Sequence, residues 1–309
     1  MQNKFKSIAL SILLPLLAVT AFGQSNRVYV GESGSDANLC TTSAPCRTIA
    51  HALTVVNPGG EVVVAENGEY DQFFVNKTVT VGAAPGITAK ITTTGGYGVV
   101  IVGGQAADVV TIRNLNFQGP GAQVSSTGIS NINAGTVNID HCFFSGFSNA
   151  VNWGNMAGQL FVHETTVRNS LFGIGVTAPA EGLVRVTIDK CLLEMNDTGI
   201  TLGSKVYGTI SNTTAVSNTS RAVYVRSTNA NQRSDVTIDN CNFSNNTAGL
   251  LVGGTNGTSV VRLTRTTIVD NLLAGVSVGA GHIVYSLQNN TITGNFPDVS
   301  GSLTPIALK

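Results

Sequence analysis

The sequence predicts an all-β, single-stranded right-handed parallel β-helix: three short parallel sheets, about ten coils, and a short N-terminal capping helix. Three observations lead there. Val137-Asn138-Ile139-Asp140-His141-Cys142, Val186-Thr187-Ile188-Asp189-Lys190-Cys191 and Val236-Thr237-Ile238-Asp239-Asn240-Cys241 repeat one pattern, with cysteines 49 and 50 residues apart. The same pattern recurs between and around them with Leu115, Thr165, Thr213, Thr266 and Asn290 at the cysteine position, so that the eight anchors step by 22 to 28 residues. Within each step apolar residues alternate with period two, which belongs to strands rather than helices.

Each coil then reads as three strands. The first ends in Ile, Val or Leu three residues before the anchor and is followed by a two-residue polar turn. The second carries apolar residues at the anchor and two beyond. Asn stands five past the anchor in five successive coils, at Asn196, Asn218, Asn246, Asn271 and Asn295. Asn tolerates a left-handed turn and its amide can stack on an identical amide one coil away. The third strand opens on Gly or Ala, as in Gly173-Ile174-Gly175-Val176, Gly199-Ile200-Thr201-Leu202 and Ala222-Val223-Tyr224-Val225. Parallel crossovers make the winding right-handed. A leucine-rich repeat has a similar period, but its Leu/Asn consensus is absent.

The ends are read from local signals. Lys4 and Lys6 precede an apolar run from Ile8 to Val19 and a small-x-small site at Ala21-Phe22-Gly23, the pattern of a secretory signal peptide over residues 1–23. Residues 24–60 form an N-terminal segment and cap, in which Thr48 starts a helix that carries Ile49, Ala52, Leu53 and Val56 on one face and ends at Asn57-Pro58-Gly59-Gly60. Residues 61–309 form the β-helix, whose last recognisable coil is Asn289–Asn295. Export implies an oxidising compartment, so Cys40 and Cys46, flanking a short Thr/Ser/Pro loop, are expected to form a disulfide. Cys142, Cys191 and Cys241 lie two coils apart, nearly 10 Å, and are expected to be buried free thiols.

Net charge is zero and only 11% of residues are charged, which leaves no basic footprint for nucleic acid and no polybasic membrane patch. No stretch is long enough for a membrane span. The protein is expected to be secreted, extracellular or periplasmic.

Tyr29-Val30, Gly34-Ser35-Asp36-Ala37-Asn38, Pro45-Cys46-Arg47-Thr48-Ile49 with Ala52-Leu53, then Pro58-Gly59-Gly60 and Gly68-Glu69-Tyr70, resemble the N-terminal region of bacterial secreted right-handed β-helix proteins of the pectin-lyase-like superfamily. The resemblance spans the mature chain and implies carbohydrate chemistry of varied kinds. In its pectate lyases, calcium-binding carboxylates and an arginine base lie on the outer face of one sheet. The Gly-initiated strand is the equivalent here, and its outward positions Ser130, Asn152, Gly175, Thr201, Tyr224, Leu251 and Ser277 include no carboxylate. Arg226 compares with a lyase arginine but has no acids to hold calcium beside it. The Asn-Thr-Asp, Asp-Asp and Gly-His-Gly motifs of polygalacturonases are missing.

Two surfaces carry chemistry. The polar turn aligns Arg113, Asp140, His163 and Asp189 in one row and Asn114, His141, Glu164 and Lys190 in the next, with neighbours about 5 Å apart. Asp140, His141, His163, Glu164 and Asp189 are the first catalytic candidates, a His/carboxylate group suited to acid–base work or to a metal; the alternative is a solvated ladder of charge that holds register. Asn152, Thr201, Tyr224 and Arg226 are the candidates for binding substrate, because an aromatic ring with planar hydrogen bonders on a flat face suits an extended glycan. Trp153 is assigned to the core. No cofactor is expected; the Gly31–Asn38 loop offers one carboxylate, Asp36, with backbone carbonyls for calcium, the alternative being a plain turn. The expected partner is a polysaccharide or surface glycan, bound without catalysis; a polysaccharide lyase or glycoside hydrolase, and a structural or adhesive rod, are the alternatives.

Overall fold

The computed structural model describes residues 25–101, 105–154 and 156–307, so the expected signal peptide over residues 1–23 lies outside the described residues. The chain winds into three parallel sheets of twelve, ten and ten strands. Every pair of neighbouring strands in them is parallel, and each strand pairs with its counterpart one coil away: Thr136–Asp140, for example, lies between Val109–Arg113 and Gly158–His163. The first sheet contains the strands that end before the polar turn, the second the three- or four-residue strands that follow, and the third the Gly-initiated strands.

The anchors line one interior column. Leu115, Cys142, Thr165, Cys191, Thr213, Cys241 and Thr266 are all buried, and two residues on, Phe117, Phe144, Val167, Leu193, Ala215, Phe243 and Ile268 form the adjacent column. Phe117 and Phe144 stack with centroids 4.6 Å apart. Alternating Thr and Cys has a polar logic. Thr165 Oγ1 accepts from the Cys142 N–H at 3.3 Å and donates to the His163 carbonyl at 2.9 Å, and Thr213 and Thr266 repeat this under Cys191 and Cys241. A buried hydroxyl is thereby satisfied on every second coil. Trp153 is in the core, its Nε1–H donating to the Met156 carbonyl at 2.8 Å.

The asparagine column stacks as expected, but its backbone role differs from the expected one. Asn196, Asn218, Asn246 and Asn271 are buried, and the amides of Asn218, Asn246 and Asn271 donate to the next Oδ1 at 2.8, 3.0 and 2.7 Å. The left-handed residue is the one before, at Asn169, Met195, Ser217, Asn245, Asp270 and Gly294, with φ from 52° to 72°. Asn is required for its amide: its Oδ1 receives the backbone N–H of the preceding coil's corner, as Asn246 does from Asn218 N at 3.0 Å. The other corner works alike, since Asn114, His141, Glu164, Lys190, Asn212, Asn240 and Arg265 all have φ between 44° and 55°.

At the N-terminal end, helix Ile49–Val55 buries Ile49, Ala52 and Leu53 against the same core. Thr48 caps it by accepting from His51 N at 3.1 Å. The helix stops at Val55, two residues before Asn57, and Asn57–Gly60 is a bulge inside strand Val56–Val64, where Ser25 pairs with Val56 but Arg27 with Glu61. Asp36, considered for calcium, accepts from Arg47 N, Thr48 N and Thr48 Oγ1 at 2.8 to 2.9 Å, which ties the Gly31–Asn38 loop to the cap. Cys40 and Cys46 are disulfide-bonded. At the far end the coil at Asn289–Asn295 is followed by strands Val299–Ser300 and Leu303–Pro305, which continue two of the sheets.

Asn246→Ala removes an acceptor and a donor from the middle of the buried ladder, and a loss of about 1 to 3 kcal/mol is expected in urea unfolding; a loss under about 0.5 kcal/mol would show that the ladder contributes little. Burial pushes the thiols of Cys142 and Cys191 up to about 12 and that of Cys241 to about 11. The native protein is therefore expected to give no reaction with a thiol reagent at pH 8, and three thiols per chain once unfolded without reductant.

Candidate functional site

The third sheet carries one of the two candidate surfaces. Strands Asn149–Trp153, Phe172–Val176, Thr198–Leu202 and Arg221–Arg226 pair in register. That register stacks Asn152, Gly175, Thr201 and Tyr224 in one outward row. A second row holds Asn149, Phe172, Thr198 and Arg221. Between and beside them lies a groove of about 270 Å³, whose lining includes all four predicted binding residues, Asn152, Thr201, Tyr224 and Arg226. Gly175 leaves the floor bare, since a Cβ there would come no nearer than 3.8 Å to its surroundings.

The second row was not among the residues singled out from sequence. It arises because Gly173 and Ile174 both face inward, breaking the alternation, so the residue before the glycine is turned out. The glycine is needed at that step: a Cβ on Gly173 would sit 2.3 Å from the Gly199 carbonyl oxygen. The readable signal is position, immediately before the Gly or Ala that opens the strand. Phe172 is 43% exposed there, a large ring in water. Two coils away along the axis, about 10 Å, Tyr224 lies between two guanidinium groups, with Arg221 at 4.9 Å and Arg226 at 6.0 Å from its ring centroid. Among the described residues neither arginine is in an ion pair, and no carboxylate lines the groove.

The first catalytic candidates gather at the corner between the first and second sheets. Pairing of Asp140 with His163, and of His163 with Asp189, sets one row; the left-handed residues His141, Glu164 and Lys190 set the next. Nδ1 of His163 and Nδ1 of His141 each lie 2.9 Å from Asp140 Oδ1. Nε2 of His141 contacts Glu164 Oε2, and Lys190 Nζ is 3.1 Å from Glu164 Oε1. Asp189 accepts from Ser211 Oγ and Asn212 Nδ2 at 2.7 Å each. Arg113, at the end of the same row, is engaged with Glu61. The corner is half in water, with His141 50% and Asp140 38% exposed.

Partial burial works to raise the Asp140 carboxyl, but hydrogen bonds from His163 and His141 outweigh it and hold the group below the usual carboxylate range. Glu164 is held low by the hydrogen bond from Lys190. For Asp189, burial is outweighed by Ser211 and Asn212. All three are thus anionic at neutral pH. The corner and the groove lie on different parts of the coil, and no corner residue lines the groove.

A family profile described as a right handed beta helix region matches residues 86–295. The chain belongs to this right-handed β-helix family. Similar solved structures include a GH136 lacto-N-biosidase from Eubacterium ramulus, at 12% identity over 91% of this chain and 67% of that one, with a TM-score of 0.56. The pectate lyase Pel9A matches at 16% identity over 91% of this chain and 77% of its own, TM-score 0.53. The A-module of the mannuronan C-5 epimerase AlgE6 from Azotobacter vinelandii matches at 14% identity over 92% and 96%, TM-score 0.50. No curated protein matches the sequence. At these identities the likeness is one of fold alone, the right-handed parallel β-helix. Among its described residues no helix is long and apolar enough to cross a membrane.

Carboxyls held below their unfolded values stabilise the folded state above about pH 4 and lose that contribution as the pH falls further, because the unfolded chain takes up protons first. The melting temperature is expected to fall as pH drops from about 4 towards 2, and less steeply in Asp140→Asn. An unchanged acid slope in that variant would show that the His/carboxylate corner is not coupled to folding.

Proposed function

We propose that this β-helix binds an extended, acidic extracellular polysaccharide along the groove of its third sheet, without cleaving it. One observation carries the reading: two guanidinium groups without ion-pair partners flank an aromatic ring in an open groove that no carboxylate lines. Guanidinium forks pair with carboxylates, and such pairs are stronger than neutral hydrogen bonds. Tyr224 and Phe172 supply ring faces for sugars, at a spacing set by two coils. Asn152 and Thr201 supply hydrogen bonders to hydroxyls. The groove runs along the β-helix axis, so a linear polymer can lie in it.

Binding is preferred to cleavage because glycosidic or eliminative chemistry needs an acid and a base at the bond, and the groove offers no carboxylate or histidine. The His/carboxylate corner has such groups but lies elsewhere on the coil. Structural neighbours named as a pectate lyase and a mannuronan C-5 epimerase support a carbohydrate ligand for the architecture. The N-terminal targeting pattern and the Cys40–Cys46 disulfide support an extracellular or periplasmic setting.

Affinity electrophoresis and calorimetry with polygalacturonate, alginate and an uncharged galactan test this. An acidic polymer is expected to bind, and more weakly as salt is raised. Tyr224→Ala and Arg226→Ala are each expected to weaken binding about tenfold, in line with loss of about 1.4 kcal/mol per stacking or charged contact. Equal retention by the uncharged galactan, unchanged affinity in both variants, or unsaturated or reducing-end products would each overturn the reading.

A further inference from the structure

The corner between the first and second sheets contains a hydrogen-bond conflict. His141 has Asp140 Oδ1 2.9 Å from Nδ1 and Glu164 Oε2 against Nε2. His163 has the same Asp140 oxygen 2.9 Å from Nδ1, and both Glu164 Oε1 and Asp189 Oδ2 at 3.6 Å from Nε2. His141 therefore meets carboxylate oxygen at both nitrogens and His163 at Nδ1, with two further carboxylate oxygens facing its Nε2, while a neutral imidazole carries a single N–H; only an imidazolium or a bound cation answers every oxygen. A ring that donates to Asp140 presents a lone pair to Glu164 or Asp189. A ring that donates outward presents its lone pair to Asp140. The nearby cations do not resolve this, since Lys190 engages Glu164 from outside and Arg113 engages Glu61.

We propose that this corner is a divalent-metal site of the zinc type, with Nδ1 of His141, Nδ1 of His163 and Oδ1 of Asp140 as its ligands. A cation where these three atoms converge takes up both Nδ1 lone pairs and the carboxylate charge. The proton of each ring then resides on Nε2, donated to Glu164 from His141 and, from His163, pointed at the Glu164 and Asp189 oxygens 3.6 Å away. A carboxylate behind a metal-bound imidazole is how such rings are held in orientation and made more basic.

The donor set points to zinc and its neighbours rather than to calcium or magnesium, which prefer all-oxygen shells. One ligand atom from each of Asp140, His141 and His163 lies within 4.8 Å of the other two. The two 2.9 Å spacings are close to the roughly 3.3 Å that separates ligands around a tetrahedral zinc with bonds of about 2.0 Å. The half-exposed position leaves the remaining coordination to water. Because Asp140 and His141 belong to one coil and His163 to the next, the ion clamps two coils together at a left-handed corner.

The full chain, stripped with chelator, is titrated with zinc chloride under calorimetry and thermal unfolding, and with cobalt(II) for its visible spectrum. Saturable binding of one equivalent, a raised melting temperature, and a cobalt spectrum of nitrogen and oxygen ligation are expected. His141→Asn and His163→Asn, each confirmed as folded by circular dichroism, are expected to weaken zinc binding about tenfold or more. Lys190→Gln, which removes a neighbouring positive charge while leaving every ligand, is expected to bind zinc at least as tightly as the parent. Lack of saturable binding, unchanged affinity in both histidine variants, or a cobalt spectrum dominated by thiolate bands would overturn the site, the last because it would put the metal on the cysteines.

Discussion

In-register parallel pairing between successive coils, at about 4.8 Å per coil, is the constraint on which everything else in this molecule depends. Once Asp140 pairs with His163 and Thr201 with Tyr224, every side chain in a coil is stacked on its counterpart above and below. A polar group placed inside one coil must then be answered by its neighbours. The buried amides of Asn218, Asn246 and Asn271 answer one another, and the hydroxyls of Thr165, Thr213 and Thr266 answer the backbone N–H groups of the intervening cysteines. The interior tolerates these groups because the pairing supplies partners at fixed distance, and an unmade hydrogen bond there would cost more than a made one contributes.

The same register distributes chemistry over the outside. It repeats each outward position of a strand, and each pair of residues at a corner, from coil to coil, so any composition bias along the repeat becomes a stripe along the axis. On the third sheet the stripe is Asn, Thr, Gly and aromatic, with arginine at one end. At the first corner it alternates acids with histidine and lysine. Exposed ion pairs of the second kind are individually weak, so stability alone is a poor reason for two histidines to share one carboxylate oxygen. A groove with uncompensated cations and a corner with surplus acceptors are complementary in sign, and lie apart on the same coil, so each can take up its own ligand.

The resemblance to pectin-lyase-like proteins set an expectation of carboxylates on the outer face of the Gly-initiated sheet, and this chain departs from it. Phe172, Tyr224, Arg221 and Arg226 stand in that region instead. Fold is shared with enzymes at 12 to 16% identity, which is a likeness of backbone path. Chemistry has to be argued from the residues that face solvent.

Much of the architecture was legible in the sequence because it is periodic and local. Alternation marked the strands, anchor spacing marked the coils, Thr48 marked the helix start, and counting from the anchors placed Asp140 beside His163 and Asn152, Thr201 and Tyr224 on one row. Other features depended on contacts that no local pattern encodes. The left-handed corner fell on Met195 and Asn245 rather than on Asn196 and Asn246, because the ladder asparagines are held by amide stacking across coils and leave the turn to the residue before. Strands Val299–Ser300 and Leu303–Pro305 extend the sheets without repeat residues, through backbone pairing and the packing of Leu303 against the core. Phe172 and Arg221 turned outward because the two residues after each, Gly173-Ile174 and Ala222-Val223, both face inward. Sequence by itself determined the coil, its inward columns and its charged corner, since these follow from spacing along one chain. Tertiary structure alone decided that two Nδ1 atoms meet one carboxylate oxygen, which depends on side-chain directions across coils joined only by register, and that Arg221 and Arg226 both turn their guanidinium groups over the Tyr224 ring of their own strand, which depends on rotamers that spacing does not encode.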